Sequence, residues 1–302
     1  MYDIKKAITK SDFLALVRNR LENIIDRIEC SFGSSINATG NRALQPEKMF
    51  RTIFAYRLLE HGVVSFGPDT LAYACAAAEL VNSASLCHGN AIDKDFLRTG
   101  GAGYGATENL SRNVLLGDLF LNESILLLMT QYEKRYVAHF VEKVKEVFLT
   151  GIEHEIPLYD QRGVETTRMH NTGGTSGPVF GFIGYVCGER EGALAEALEE
   201  VGYMVGAAYQ LYDEFLNATD DDTIMVQDLA NDLNRQKMTL LTFYGNDISI
   251  LNMKITALCD DALNRLRPWP QAKNGVEKFV ECDLMPAFYQ LHEGFNVFSE
   301  MK

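Results

Sequence analysis

Paired cysteines, long apolar runs and an apolar N-terminal segment are all missing from this 302-residue sequence. Its six cysteines are scattered without a C-x-x-C pair, so their spacing favours reduced thiols over a disulfide framework or a zinc site. No apolar run reaches the roughly 18 residues that a membrane span needs, and the N-terminal stretch MYDIKKAITK lacks the apolar core of a signal peptide. From these absences we expect a cytoplasmic protein without a transmembrane segment.

Positive charge is also scarce. The sequence has 28 lysines and arginines against 41 aspartates and glutamates, which gives a net charge of −13. The basic residues form no stripe of the kind that nucleic-acid-binding proteins present, so we expect no nucleic-acid partner. An anionic small-molecule substrate would need local cations or a metal ion to overcome the surrounding negative field.

Proline is rare, and the alternation typical of strands is nearly absent. With seven prolines and no low-complexity linker, we interpret residues 1–302 as one domain. Apolar residues recur with the helical period, Ser11 and Asp12 are placed to cap the first helix, and Gly173, Gly174 and Gly177 are predicted to separate two others. The predicted fold class is therefore all-α, a single large bundle. Helices are predicted at about residues 11–31, 46–61, 68–93, 109–131, 132–156, 175–187, 191–217, 236–244, 248–265 and 275–301.

Two of these helices carry oxygen donors on one face. Asn90 and Asp93 are three residues apart near the end of the third helix, and Asp213, Glu214 and Asn217 have a similar spacing near the end of the seventh. Residues separated by three or four positions share a helix face. Carboxylates and carbonyl oxygens facing a cavity suit a hard divalent cation such as Mg²⁺, which also accepts phosphate oxygens.

The residues around these donors resemble a known family. The segments ELVNSASLCHGNAIDKDFLRTG, Gly117-Asp118, YQLYDEFLN and Asp232 to Lys237 are similar in order and spacing to the trans-polyprenyl diphosphate synthases, over about residues 15–265. The resemblance implies the isoprenoid-synthase fold, ten or more helices around a central cavity, and a homodimer. It also implies Mg²⁺ chemistry, in which an allylic diphosphate ionises and isopentenyl diphosphate attacks the resulting carbocation. His88, which precedes the first motif, is predicted to form a hydrogen bond in the core.

The aspartate-rich motifs of that family are only partly present here. The first falls on residues 89–93 and keeps Asp93 alone of its three carboxylates, and the second falls on residues 213–217. The resemblance makes Asp93, Asp213 and Glu214 the candidate catalytic residues. With Asn90 and Asn217 they are also the candidate Mg²⁺ ligands. Because asparagine brings no charge, we expect a weakened metal site.

Candidate residues for binding the allylic diphosphate are largely retained. The resemblance places Arg98 and Lys237 on this side of the site, and Gln210, just before the second motif, is a further candidate substrate-binding residue. The family's lysine-threonine pair falls on Thr175 and Ser176, so its lysine is missing. Backbone N–H groups of the glycine-rich loop at residues 173–177 are an alternative cradle for phosphate, and Asp220 to Asp222 are an alternative metal site.

The anchors for isopentenyl diphosphate differ more strongly. Arg42 stands where the family has a lysine and Gln45 where it has an arginine; both remain candidate substrate-binding residues. Asn82 replaces a histidine and Thr99 replaces a second arginine. Three of the four anchors have thus lost their charge or their ring.

Three functions are compatible with this pattern. The first is an enzyme that ionises an allylic prenyl diphosphate without using isopentenyl diphosphate, as a terpene-synthase-like enzyme or a prenyltransferase to another acceptor. The second is a catalytically inactive regulatory subunit of a heteromeric prenyl diphosphate synthase. The third is a conventional synthase of low activity. The asymmetric loss of anchors favours the first, and each would form a homodimer or pair with a related synthase.

Overall fold

A computed structural model describes residues 8–32, 49–93, 106–155, 174–186, 192–219 and 248–286. Regular secondary structure in these ranges is entirely helical, as the periodicity predicts. The helices are α1 (Lys10–Phe32), α2 (Phe50–Glu60), α3 (Pro68–Asp93), α4 (Ala106–Met129), α5 (Lys134–Glu155), α6 (Ser176–Val186), α7 (Ala193–Thr219), α8 (Ile248–Arg265) and α9 (Pro270–Phe279), the last followed by a π-helical turn (Val280–Leu284).

The first helix begins earlier than its predicted cap. The Thr9 hydroxyl accepts the backbone N–H of Asp12 at 3.1 Å and donates to the Asp12 carboxylate at 2.7 Å. Thr9 is therefore the N-terminal cap, because its side chain satisfies an N–H group of the first turn that has no partner within the helix. The prediction that Ser11 and Asp12 form the cap is wrong: Ser11 lies within the first turn.

Most other helix limits agree with the sequence within a few residues, and α3 and α8 agree at both ends. The final helix differs, because Pro270 starts it five residues before the predicted position 275. Proline suits this place, since the first turn needs no N–H from it and its fixed φ matches the helix. The helix predicted at residues 236–244 lies outside the described residues.

The chain divides into two compact units, the first comprising residues 1–141 and 185–188. In this unit α3 packs against α1, α2 and α4. The small side chains of Ala72, Ala76 and Ala77 are fully buried and allow close approach of the neighbouring helices. The Tyr132 hydroxyl, just beyond α4, donates to the Thr70 carbonyl at 2.7 Å near the start of α3.

The second unit comprises residues 142–184 and 189–302, and in it α7 packs against α8. Arg265 of α8 donates to both carboxylate oxygens of Glu200 on α7, at 2.5 and 3.2 Å. The prediction that residues 1–302 form one domain stays a prediction. None of the helices in the described ranges has the length and apolarity that a bilayer crossing requires.

Candidate functional site

The first candidate motif occupies the last turns of α3. Asn90 and Asp93 lie on this helix three residues apart, so the backbone places them on one face, as the sequence predicts. Ala91, between them, is buried. The side chains of Asn90 and Asp93 lie outside the described part of the structure, so their role as ligands stays a prediction.

A histidine and an aspartate join α3 to α4 just before this motif. The Nε2 atom of His88 lies 3.1 Å from Oδ1 of Asp118. A hydrogen bond is present as predicted, but it lies at the surface and not in the core, because the Asp118 side chain is 59% exposed. The ring lies against Gly117, where an added Cβ would stand 2.3 Å from Nε2. Glycine within a helix lowers stability by about 0.5–1 kcal/mol relative to alanine. The contact with His88 explains why residue 117 is nevertheless glycine, because a larger side chain would collide with the ring.

A buried carboxylate joins α3 to α2. Glu79, only 1% exposed, accepts the Thr52 hydroxyl at 2.7 Å and the Thr52 backbone N–H at 3.3 Å. Thr52 is in the first turn of α2, and Met49, the residue before that helix, provides no side-chain cap. Glu79 of α3 therefore satisfies an N–H group that α2 itself leaves without a partner. The sequence analysis missed this pair.

Burial of this region changes its acid–base chemistry. Burial raises the pKa of the Glu79 carboxyl, against the opposing attraction of the Arg51 guanidinium and the two hydrogen bonds from Thr52. Burial, and then the nearby Glu79 carboxylate, raises the pKa of the Cys75 thiol well above its usual value. Cys75 is thus a protonated core residue, as expected for reduced structural thiols.

The second candidate motif lies on the last turns of α7. Asp213, Glu214 and Asn217 all belong to this helix, so the backbone brings them onto the shared face that the sequence predicts. Gln210, one turn earlier, is half-buried, and the adjacent Tyr212 is buried. The side chains of Asp213, Glu214 and Asn217 lie outside the described part, and their roles also stay predictions.

The glycine-rich segment around residue 175 is the start of α6. Thr175 lies in the preceding turn and is half-buried, whereas Ser176 is the first residue of the helix and only 1% exposed. The Ser176 carbonyl oxygen faces Gly202 of α7. Gly177 belongs to α6, within the helix predicted at residues 175–187, and it packs against the Tyr203 ring. Binding of substrate by Thr175 and Ser176 stays a prediction.

An ion pair with little exposure lies beside the α6–α7 contact. Lys143 of α5 is 3.0 Å from the Glu199 carboxylate and 3.3 Å from that of Glu146. Burial, and then the Glu199 charge, raises the pKa of Tyr203 to about 12. Gly181 of α6 lies against the Glu199 side chain. Sequence spacing gives no signal for this group, because its members come from three helices.

The remaining predicted site residues fall in ranges that the structure does not describe. They are Arg42, Gln45, Arg98 and Lys237, together with residue 173 of the glycine-rich loop and the three aspartates at 220–222. Among the described side chains, no group of three or more histidine, cysteine, aspartate or glutamate residues is arranged to hold a metal ion. The candidate ligands on α3 and α7 belong to separate compact units, and each is described within its own unit.

The fold is that of the all-α isoprenoid synthases. A geranylgeranyl pyrophosphate synthase from Lactobacillus brevis superposes with a TM-score of 0.67 at 15% identity, covering 92% of this chain and 95% of that one. A geranyltransferase from Helicobacter pylori, crystallised with magnesium and isoprenyl diphosphate, gives a TM-score of 0.63 at 16% identity, covering 87% and 96%. The polyprenyl synthetase family model matches residues 36–254, and the chain belongs to that family.

Curated relatives are distant in sequence. A farnesyl diphosphate synthase from Micrococcus luteus is 23% identical, covering 87% of this chain and 93% of the relative. A short chain isoprenyl diphosphate synthase from Methanothermobacter thermautotrophicus is 22% identical over 61% of this chain and 59% of its own length. Component 2 of the Bacillus subtilis heptaprenyl diphosphate synthase is 22% identical over 69% and 62%. The chain thus spans about three-fifths of the length of the last two.

Proposed function

We propose that this protein binds an allylic prenyl diphosphate with Mg²⁺ and ionises it without using isopentenyl diphosphate. The observation that carries the proposal is the set of carboxylates kept on the last turns of two helices, Asp93 on α3 and Asp213 with Glu214 on α7. An all-oxygen donor set fits Mg²⁺. The magnesium in the Helicobacter pylori relative's crystals supports the same choice.

Each candidate residue has a definite part in this proposal. Asp93, Asp213 and Glu214 would hold the cation, helped by the carbonyl oxygens of Asn90 and Asn217. Bound Mg²⁺ supplies positive charge that offsets the charge developing on the leaving diphosphate.

Other residues would bind the diphosphate itself. Arg98 and Lys237 would donate hydrogen bonds to it, and half-buried Gln210 lies one turn before the second motif. When the bond between the first carbon and oxygen breaks, the electron pair leaves on the diphosphate. The carbocation is then quenched by loss of a proton, by water or by an acceptor.

The isopentenyl side argues against ordinary chain elongation. A charge-assisted hydrogen bond contributes about 1.5–3 kcal/mol, and Gln45, Asn82 and Thr99 replace three charged or ring-bearing anchors of the family. If half of their summed contribution is lost, binding of isopentenyl diphosphate weakens by about two to three powers of ten. Of these three, Asn82 lies in a described range, half-buried on α3.

Pyrophosphate release tests the proposal directly. Farnesyl and geranylgeranyl diphosphate would each be incubated with the full chain and Mg²⁺, with and without isopentenyl diphosphate. We expect release without isopentenyl diphosphate. Release only in its presence would replace the proposal with a conventional synthase of low activity, and no release from folded protein would favour an inactive subunit.

Two variants locate the metal site. Asp213→Ala is expected to abolish release, because it removes a carboxylate from the weakened donor set. The control is Asp261→Ala, which removes an exposed carboxylate from the surface of α8 and should leave release unchanged. If Asp213→Ala releases pyrophosphate at the wild-type rate, the second motif does not hold the metal.

A second candidate function is that of an inactive regulatory subunit. The Bacillus subtilis relative is called a component of its synthase. In addition, Leu115, Leu126 and Met129 of α4 are 68%, 57% and 58% exposed, and their spacing places them on one side of the helix. We propose that this apolar face of α4 pairs with a second polyprenyl-synthetase-family chain, either another copy or a related synthase.

Sedimentation equilibrium of the wild type and of Leu115→Glu tests the pairing. A dimer that the substitution weakens would support it, whereas a monomeric wild type would limit the face to pairing with a different chain. Addition of the protein to an active prenyl diphosphate synthase, with product length as the readout, then tests regulation. An unchanged product length would reject the regulatory role.

A further inference from the structure

The contact between His88 and Asp118 lies next to the first candidate motif. His88 directly precedes residues 89–93, and its Nε2 atom is 3.1 Å from Oδ1 of Asp118 on α4. The side chain of His88 is 21% exposed and that of Asp118 is 59% exposed. The contact therefore lies at the edge of the α3–α4 packing, within about two turns of Asn90 and Asp93.

Gly117 limits the position of the histidine ring. A Cβ at residue 117 would stand 2.3 Å from Nε2 and 2.4 Å from Cδ2 of His88, closer than real Cβ atoms approach other atoms. The ring thus occupies the space that a side chain at 117 would fill. The hydrogen bond to Asp118 and the bare backbone of Gly117 together help to define where the His88 ring lies.

The rotation of α3 about its own axis at His88 determines the direction in which the side chains of its last residues project. Side-chain atoms lie about 5–6 Å from a helix axis, so a rotation of about 15° moves a ligand oxygen by roughly 1.5 Å. Metal sites tolerate deviations of only about 0.2 Å in ligand distance, and binding groups must be held within about 10–20°. Asn90 and Asp93 follow His88 by two and five residues and therefore turn with it.

The geometry points to His88 and Asp118 as positioning residues that set the rotation of the end of α3, with Gly117 providing the space for the ring. They align Asn90 and Asp93 for a divalent cation without contacting it themselves. This inference depends on the metal site of the proposed function and adds to it the residues that orient the weaker of the two motifs. Partners that orient metal ligands typically change metal affinity about 10- to 100-fold when they are lost.

Binding of Mn²⁺ to the full chain, measured as the loss of the free-ion electron paramagnetic resonance signal, tests the inference without any catalytic turnover. Asp118→Ala is expected to weaken Mn²⁺ binding about 10-fold. Asp118→Asn should bind like the wild type, because its amide oxygen still accepts an N–H from His88. In a His88→Ala background, Asp118→Ala should cause no further loss.

Gly117→Ala supplies an independent test, because it changes the space open to the ring and not its hydrogen-bond partner. The added methyl group displaces His88 while leaving both members of the hydrogen bond in the sequence, and Mn²⁺ binding should fall as it does in Asp118→Ala. Val276→Ala, in the fully buried interior of α9, is the control for a general loss of stability. It should unfold more easily yet keep wild-type Mn²⁺ binding.

Several outcomes would overturn the inference. Equal Mn²⁺ affinity in the wild type and Asp118→Ala would do so, as would a wild type that binds no Mn²⁺. A loss in Asp118→Asn as large as that in Asp118→Ala, with His88→Ala unaffected, would make Asp118 a ligand and not a positioning residue. If the variants change Mn²⁺ affinity as expected but the protein releases no pyrophosphate, the role of His88 and Asp118 is supported and only the ionising function is rejected.

Discussion

Replacing Gly202 with alanine tests the close contact between α6 and α7. A Cβ at residue 202 would stand 2.5 Å from the Ser176 carbonyl oxygen and 2.7 Å from the Gly177 Cα atom. Both are backbone atoms of α6, so neither moves aside as the end of a flexible side chain does. The substitution must separate the two helices, and that separation disturbs the packing of Tyr203 against Gly177 as well.

The expected cost follows from two opposing effects. Inserting a methyl group into a well-packed contact costs about 1–3 kcal/mol, and we expect the upper end because backbone atoms meet. Alanine in place of glycine within a helix returns about 0.5–1 kcal/mol. Gly89→Ala isolates the second effect, since no atom lies within 4 Å of the added Cβ. We therefore expect the free energies of unfolding of the two variants to differ by about 3 kcal/mol.

Urea unfolding followed by far-ultraviolet circular dichroism, without divalent cations, measures this difference. Gly202→Ala should unfold at a lower urea concentration than the wild type and Gly89→Ala at a slightly higher one, with similar slopes. If Gly202→Ala is as stable as Gly89→Ala, the α6–α7 contact is looser than described. A changed slope would instead indicate an altered unfolded state or the loss of a single cooperative transition.

Three further predictions concern single groups. Burial raises the pKa of Glu79, so the native state binds more protons than the unfolded state between the ordinary carboxyl pKa and this raised pKa. The contribution of Glu79 to stability should therefore fall as pH rises through that interval. Thermal unfolding at pH 4.5 and 7 should show a smaller fall in Glu79→Gln than in the wild type. Glu199→Ala should lower the free energy of unfolding by about 1–2 kcal/mol, because the partly exposed Lys143 loses one of its two carboxylate partners and keeps Glu146. An unchanged urea midpoint would contradict this. Gln45→Arg combined with Thr99→Arg should raise isopentenyl diphosphate affinity about tenfold or more per restored charge, measured by calorimetric titration; no gain would mean that these positions do not face the diphosphate.

Helical periodicity identified the fold class and most helix limits, because the residues that form one amphipathic face all come from one continuous stretch of sequence. The limits of α3 and α8 were predicted at both ends, since proline, glycine and charged residues mark them. The cap at Thr9 was missed because Ser11 and Asp12 are equally good capping residues by type. Only the hydrogen bond from Asp12 to the Thr9 hydroxyl distinguishes them.

Contacts between helices were less predictable. Gly177 lies inside the helix predicted at residues 175–187, but its contact with the Tyr203 ring of another helix had no signal in the sequence. Likewise, Thr52 and Glu79 are 27 positions apart. The apolar periodicity of a helix shows which face is buried, but it does not predict which residue of another helix that face will contact. The candidate site was predicted to the level of the helix and face, since motif spacing determines these and no more.

The contact between His88 and Gly117 also constrains the order in which substitutions at these two positions can be accepted during evolution. A side chain can enter position 117 without collision only if residue 88 has become smaller or its ring has moved, because the ring already occupies that volume. If position 117 changes first, the intermediate variant has the His88 ring and the new side chain at 117 in the same volume. We therefore expect substitutions at 88 and 117 to be epistatic: a lineage that drops the histidine first can later gain the more helix-favouring alanine freely, whereas a lineage that retains it must displace the ring to do so.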